Sequence, residues 1–335
     1  MQIKSPEIYM VAVRGFGNRL IAIAGLVFLS CFAVGCGKMQ VCLDSETGQY
    51  VIIDDGKKVL QYNYATVEPD DEYLKEVKPD SRMYAVGRSN YIHPLFGPDG
   101  QELTLDWSKD HPHHRGIYWA WPEVQYHGET ADLHALQNIF ARPTGKVESY
   151  CTNNYAEISA ENKWMWHDKT PIVIENVTIR VNKASKDGRY IDLNLEFKAL
   201  VDSVTIARRD TDTYGGLNIR LAPVKDMKFD HYADDADAAQ SPAWQGVTGI
   251  WNPSEKPTVL AVFEKADNQD YPGDYIEYPY LPWFQPTFPK KQKRYELKKD
   301  EPLVLQYRFW IASMDRPSDR QYRQQWQIYQ KTNMK

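Results

Sequence analysis

Apolar and polar residues alternate most regularly over residues 190–201, where Ile191, Leu193, Leu195, Phe197, Ala199 and Val201 face one way and Asp192, Asn194, Glu196 and Lys198 the other. Successive side chains of a strand point to opposite faces, so a period of two over this length predicts a long antiparallel strand with one buried face. Lys186-Asp187-Gly188 supplies the turn that joins it to the strand before. A hairpin is expected over residues 49–64, turning at Asp54-Asp55-Gly56. Further short strands are expected at 82–86, 90–96, 116–121, 136–141, 146–150, 155–165, 172–181, 217–221, 246–251, 258–264, 294–297 and 303–313. The acidic stretch 67–80, the aspartate-rich stretch 230–240 and the Tyr/Pro/Trp-rich stretch 267–289 break the pattern and read as loops. A single helix begins near Ser318, with Tyr322, Trp326 and Tyr329 on one stripe. Many short strands without strand–helix alternation predict an all-β chain, a large antiparallel β-sandwich with one C-terminal helix, forming one domain over 49–335.

The first residues follow a different pattern. Lys4, Arg14 and Arg19 precede an apolar run over 20–34 that ends in Ala33-Val34-Gly35-Cys36. Small residues before a cysteine predict a lipoprotein leader over 1–35, with Cys36 as the acylated residue and 36–48 as a polar tether. The run is shorter than the roughly 20 residues a spanning helix needs, which favours a lipid anchor over a transmembrane segment and places the protein in the cell envelope. A mature chain would hold 335 − 35 = 300 residues, enough for a sizeable core. The formal net charge of −5 speaks against a nucleic-acid partner, which demands a basic face. Cys42 and Cys151 either pair or remain thiols, and no cysteine spacing suits zinc.

The chemistry concentrates in residues 106–121, Asp-Trp-Ser-Lys-Asp-His-Pro-His-His-Arg-Gly-Ile-Tyr-Trp-Ala-Trp. Six of the eight histidines, His93, His111, His113, His114, His127 and His134, fall between 93 and 134. Pro112 restricts His111 to extended backbone, and in that geometry His111 and His113 share a face while His114 points away unless the loop turns. Three readings follow. His93, His111, His113 and His114 are candidate acid/base or binding groups, with Arg115 holding an anionic group. Alternatively His93, His111 and His113 ligate a divalent metal, completed by Asp106, Asp110 or His134. The third reading makes the cluster a structural hydrogen-bond network. Trp119 and Trp121, two apart on a strand, offer a sugar-stacking platform. His134, Arg220 after the glycine pair Gly215-Gly216, Glu277 and Trp283 are further candidates for substrate binding. No serine-hydrolase elbow, Walker loop, dinucleotide fingerprint or His-Glu-x-x-His occurs.

Tyr91-Ile92-His93-Pro94-Leu95, Pro98-Asp99-Gly100, Asp110-His111-Pro112-His113-His114-Arg115-Gly116 and Tyr214-Gly215-Gly216-Leu217 resemble an exported bacterial family labelled "methane oxygenase PmoA", over about residues 50–315. The resemblance implies an exported β-sandwich. A wider similarity to galactose-mutarotase-like sandwiches implies histidine and carboxylate groups working on a sugar in a β-sheet cleft. The sequence therefore leads to an exported lipoprotein that binds or acts on carbohydrate or another small molecule. A metal-dependent, oxidative enzyme and a non-catalytic surface binding protein are the alternatives.

Overall fold

A computed structural model describes residues 31–36, 39–232 and 243–332, the first of these segments by its backbone alone. The expected leader up to residue 30 and the aspartates at 234, 235 and 237 lie outside the described residues.

The described chain is antiparallel β-structure in three sheets. A nine-stranded sheet runs in the order β1 (Cys31–Cys36), β2 (Met39–Asp44), β3 (Gln49–Asp54), β4 (Lys57–Asn63), β5 (Tyr91–Leu95), β6 (Ile117–Ala120), β14 (Gly216–Arg220), β19 (Trp283–Pro286) and β18 (Tyr275–Tyr278). An eight-stranded sheet takes β15 (Val224–His231), β16 (Trp244–Trp251), β17 (Thr258–Glu264), β21 (Leu303–Ser313), β12 (Arg189–Ala199), β11 (Thr170–Asn182), β10 (Tyr155–Trp166) and β9 (Ile139–Cys151). A small four-stranded sheet holds β20 (Arg294–Leu297), β13 (Val204–Ala207), β7 (Glu123–Tyr126) and β8 (Glu129–Ala131).

The alternation read in the sequence is what builds the sandwich. Along β10 every second residue is buried, from Ala156 to Trp166, and β11 and β12 repeat the rule. Their inner faces meet those of the nine-stranded sheet in one core that includes Ile52, Tyr62, Trp121, Ile158, Val177, Leu193 and Phe309. Removing this much apolar surface from water is the main force holding the layers together. Polar side chains also cross the interface: the indole N–H of Trp119 and the amide of Asn90 both donate to Glu175, which is 1% exposed.

Several expectations require correction. The tether is partly strand: Met39–Asp44 forms β2, with Val41 and Cys42 buried, because its apolar residues extend the sheet edge beside β3. Residues 82–86 are not a strand; Pro79–Tyr84 forms a 3-10 turn, which Pro79 initiates. The loop over 67–80 contains a short helix, α1 (Asp71–Glu76), N-capped by Asp70. The aromatic connection 267–289 contributes β18 and β19. The C-terminal helix, α2 (Asp319–Gln330), starts after Ser318, whose backbone N–H donates to Gln321 Oε1 at 2.9 Å. It lays Tyr322 and Tyr329 against Trp244, Phe263 and Trp310 of the eight-stranded sheet. Among the described residues no helix is long and apolar enough to cross a membrane.

Candidate functional site

The histidine-rich loop does turn. His114 donates its backbone N–H to the His111 carbonyl at 2.9 Å, closing a four-residue turn with Pro112 in second place, where the fixed φ of proline is favourable. Ser108 Oγ also donates to that carbonyl, at 2.8 Å. The turn swings His114 beside His113, with ring centroids 4.6 Å apart, and stacks His111 on His114 at 4.7 Å. Gly116 then leads into β6 at φ +57°, and a Cβ there would stand 2.3 Å from the Ile92 carbonyl oxygen. Only glycine joins loop to strand so closely.

His134 completes the group from the loop after β8. Its ring lies 5.2 Å from His113 and 5.5 Å from His114, and the nitrogens of the three residues lie within 4.8 Å of one another. Arg88 fixes this loop by donating from Nη2 to the carbonyls of Leu133 and His134, its guanidinium resting 4.6 Å from the centre of the Tyr118 ring. Tyr118 Oη and His134 Nε2 share a hydrogen bond of 2.9 Å. On the far side Trp283 stacks on His114 at 5.3 Å, and Tyr214 packs on His134 at 4.9 Å. His111 and Asp110, 42% and 48% exposed, form the open rim. There His111 Nδ1 lies 3.1 Å from Asp110, whose two oxygens each accept from Arg220 Nη2 at 3.1 Å.

Burial governs the charges. It pushes His113 down to about 3, helped by Arg88, His111 and Arg209. His114 is held well below the usual histidine range by burial, then by His113 and His134; for His134 the causes are burial, His113, Arg88 and Arg209. All three imidazoles are therefore neutral near pH 7, the form that ligates metals. Asp110 behaves oppositely: partial burial acts to raise it, but Arg220 and hydrogen bonds from His111 and Ser108 hold it down to about 2. The Nδ1 atoms of His113 and His114 are buried without a hydrogen-bond partner. A buried polar atom without a partner is costly, and a metal ion is one way to satisfy an imidazole nitrogen. The nitrogens must draw in from within 4.8 Å to about 3.4 Å for tetrahedral Zn–N bonds of roughly 2.1 Å.

Of the sequence candidates, the structure thus brings together His111, His113, His114, His134, Arg220 and Trp283. Others stand apart. His93 binds Thr104 Oγ1 through Nδ1 at 3.0 Å and approaches Glu102 at 3.4 Å, and the group whose geometry could hold a metal ion is His113, His114 and His134, not the expected His93, His111 and His113. Arg115 is a loop anchor: it is 0% exposed, pairs with Asp106, donates to Tyr91 Oη and lies 3.4 Å from the Trp107 ring centre. Trp119 and Trp121 are core residues and not a stacking platform, because their face of β6 is covered by the opposite sheet. Trp121 Nε1 donates to the Phe288 carbonyl at 2.7 Å. Glu277 accepts from Gln245 at 3.4 Å, while its neighbour Tyr278 stacks on Trp283. Sequence reasoning missed Arg88 and Tyr118. For Tyr118 the signal existed, since alternation along β6 puts it on the face opposite Trp119; Arg88 sits in an irregular stretch and offered none.

A protein from the human microbiome described as a kojibiose phosphorylase is 10% identical, with a TM-score of 0.33, over 65% of this chain and 26% of that one. This chain thus spans about a quarter of that protein's length. A protein from Escherichia coli K12 described as an aldose 1-epimerase is 8% identical, with a TM-score of 0.33, over 85% of this chain and 99% of that one. At that level of likeness neither activity transfers. No curated protein sequence matches. The methane oxygenase label suggested by the loop motif finds no support in these comparisons. The family model that matches, over residues 49–327, is described as a family of unknown function, DUF6807, and the chain belongs to that family.

Proposed function

We propose that this chain is a metal-dependent enzyme whose divalent transition-metal ion is held by His113, His114 and His134, and which acts on a small polyhydroxylated molecule of carbohydrate type. One observation carries the reading: three neutral imidazoles, those of His114 and His134 buried and that of His113 half-buried, with nitrogens within 4.8 Å of one another, two of them offering a buried Nδ1 without a protein partner. Imidazole donors suit zinc, copper, iron or nickel, and a three-histidine set leaves coordination positions for water or substrate. Such an ion supplies Lewis acidity and lowers the pKa of bound water. The chain's own residues provide the remainder. Asp110, kept ionised by Arg220, faces His111 at the open rim, an arrangement suited to moving a proton to or from a substrate hydroxyl. Trp283, Tyr214 and Tyr278 give the site an aromatic wall.

Titration of metal-depleted protein with Co²⁺ tests this. Visible absorption should saturate at one equivalent in wild type and be lost in His113→Ala and His134→Ala; a wild type without absorption, or variants identical to it, would refute the centre. The Asp110–His111 contact also favours a second reading, a metal-free acid/base site for carbohydrate. Under that reading chelation leaves sugar binding unchanged.

A further inference from the structure

Arginines flank the histidines, and two of them, Arg88 and Arg220, keep buried guanidinium N–H groups that no protein atom accepts. Arg88, Arg209 and Arg220 flank the cluster, against two carboxylates, Asp132 and Asp110. Asp132 pairs with Arg209 and Asp110 with Arg220. Arg88 is 4% exposed, and the acceptors it meets are the carbonyls of Leu133 and His134 and the Tyr118 ring. A buried guanidinium is ordinarily matched by an anion. Asp110 meets Arg220 through Nη2 alone, so the rest of that guanidinium is open to a further anion.

The unpartnered atoms tell the same story by their chemistry. Besides the two histidine nitrogens, Arg88 Nε, Arg220 Nε and Nη1, and Trp283 Nε1 are buried without a hydrogen-bond partner. Guanidinium and indole nitrogens only donate, so whatever satisfies them must bring acceptor oxygens. Arg220 and Trp283 are register partners in β14 and β19, so their side chains leave the sheet on one face at neighbouring positions. Trp283 in turn stacks on His114. The donors therefore border the proposed metal position and not a separate part of the fold.

We infer that the molecule taken by this site is an acid: a sugar acid or similar polyhydroxylated carboxylate, its carboxylate received by Arg220 and the Trp283 N–H beside the histidines. This rests on reading the cluster as an active centre and adds the class of its substrate. Neutral sugars lack the carboxylate that best matches the open N–H groups of Arg220.

The test is calorimetry of the full chain as purified, comparing D-glucuronate with D-glucose and D-galacturonate with D-galactose, with metal content measured on the same samples. Each acid should bind at least about tenfold more tightly than its neutral counterpart, as a charge-assisted hydrogen bond provides. Arg220→Gln should bring that ratio close to one without changing metal content. The wild-type comparison stands by itself if the variant fails to fold, and Arg220→Lys, which keeps the charge and loses the planar fork, should retain part of the preference. Equal affinity for acid and neutral sugar, binding of neither, or an unchanged ratio in a folded Arg220→Gln protein would overturn the inference. Metal-free protein that still prefers the acid would refute the metal centre and leave the acid site intact; metal-replete protein without the preference would do the reverse.

Discussion

Arg115 has no solvent exposure, and its charge is matched by one carboxylate, Asp106, inside a cage of Trp107 and Tyr91. Breaking such a buried pair leaves an uncompensated charge, which typically costs roughly 3–5 kcal/mol. Asp106→Ala should therefore lower the urea midpoint strongly, since the loop that bears the histidines loses its anchor; a variant as stable as wild type would show that the pair does not hold the loop. At this scale the sequence located the histidine cluster but not which of its rings come together. Extended geometry pairs His111 with His113 and sends His114 away, but the backbone bond from His114 to the His111 carbonyl reverses the chain and reassigns the partners. Proline in second place is compatible with both conformations, so local sequence did not choose between them.

Among elements, the strands themselves were legible, including β6, β14 and β17, but for strands buried on both faces the direction of each side chain was not. β12 carries its alternation openly, whereas β6 reads Ile-Tyr-Trp-Ala and is buried throughout. With both faces covered, residue type no longer reports direction, which is how Trp119 came to resemble a binding platform. The junction of β17, the 267–274 loop and α2 was likewise invisible. Glu264, at the end of β17, accepts the Gly273 N–H through Oε2 at 3.2 Å, and its backbone carbonyl accepts from Trp326 and Gln330 of α2 at 3.2 and 2.9 Å. Burial pushes its carboxyl up to about 7 from an ordinary 4.5. Because the folded value lies above the unfolded one, the associated stability is present below pH 4.5 and is lost as pH rises through 7. Glutamine mimics the protonated acid, so Glu264→Gln should match wild type near pH 4.5 and exceed it by about 3 kcal/mol above pH 7. Thermal unfolding between pH 4.5 and 8 checks this, and a difference that stays constant with pH would contradict it.

For the molecule as a whole, the two large sheets form a scaffold that needs contributions from distant parts of the chain to make one site. His113 and His114 precede β6, His134 follows β8, Arg220 ends β14 and Trp283 opens β19. The nine-stranded sheet sets β6, β14 and β19 side by side, which explains how residues up to 170 positions apart meet. Antiparallel pairing order is a tertiary property, so the sequence revealed the all-β class and the terminal helix while the assembly of the site stayed hidden. We propose that this assembly holds a metal. Elemental analysis of the protein purified without added metal tests it most directly. About one equivalent of a transition metal per chain is expected for wild type, with His114→Ala falling close to zero while remaining folded. Wild-type protein that is folded and free of metal even after incubation with zinc, copper, iron and nickel salts would contradict it.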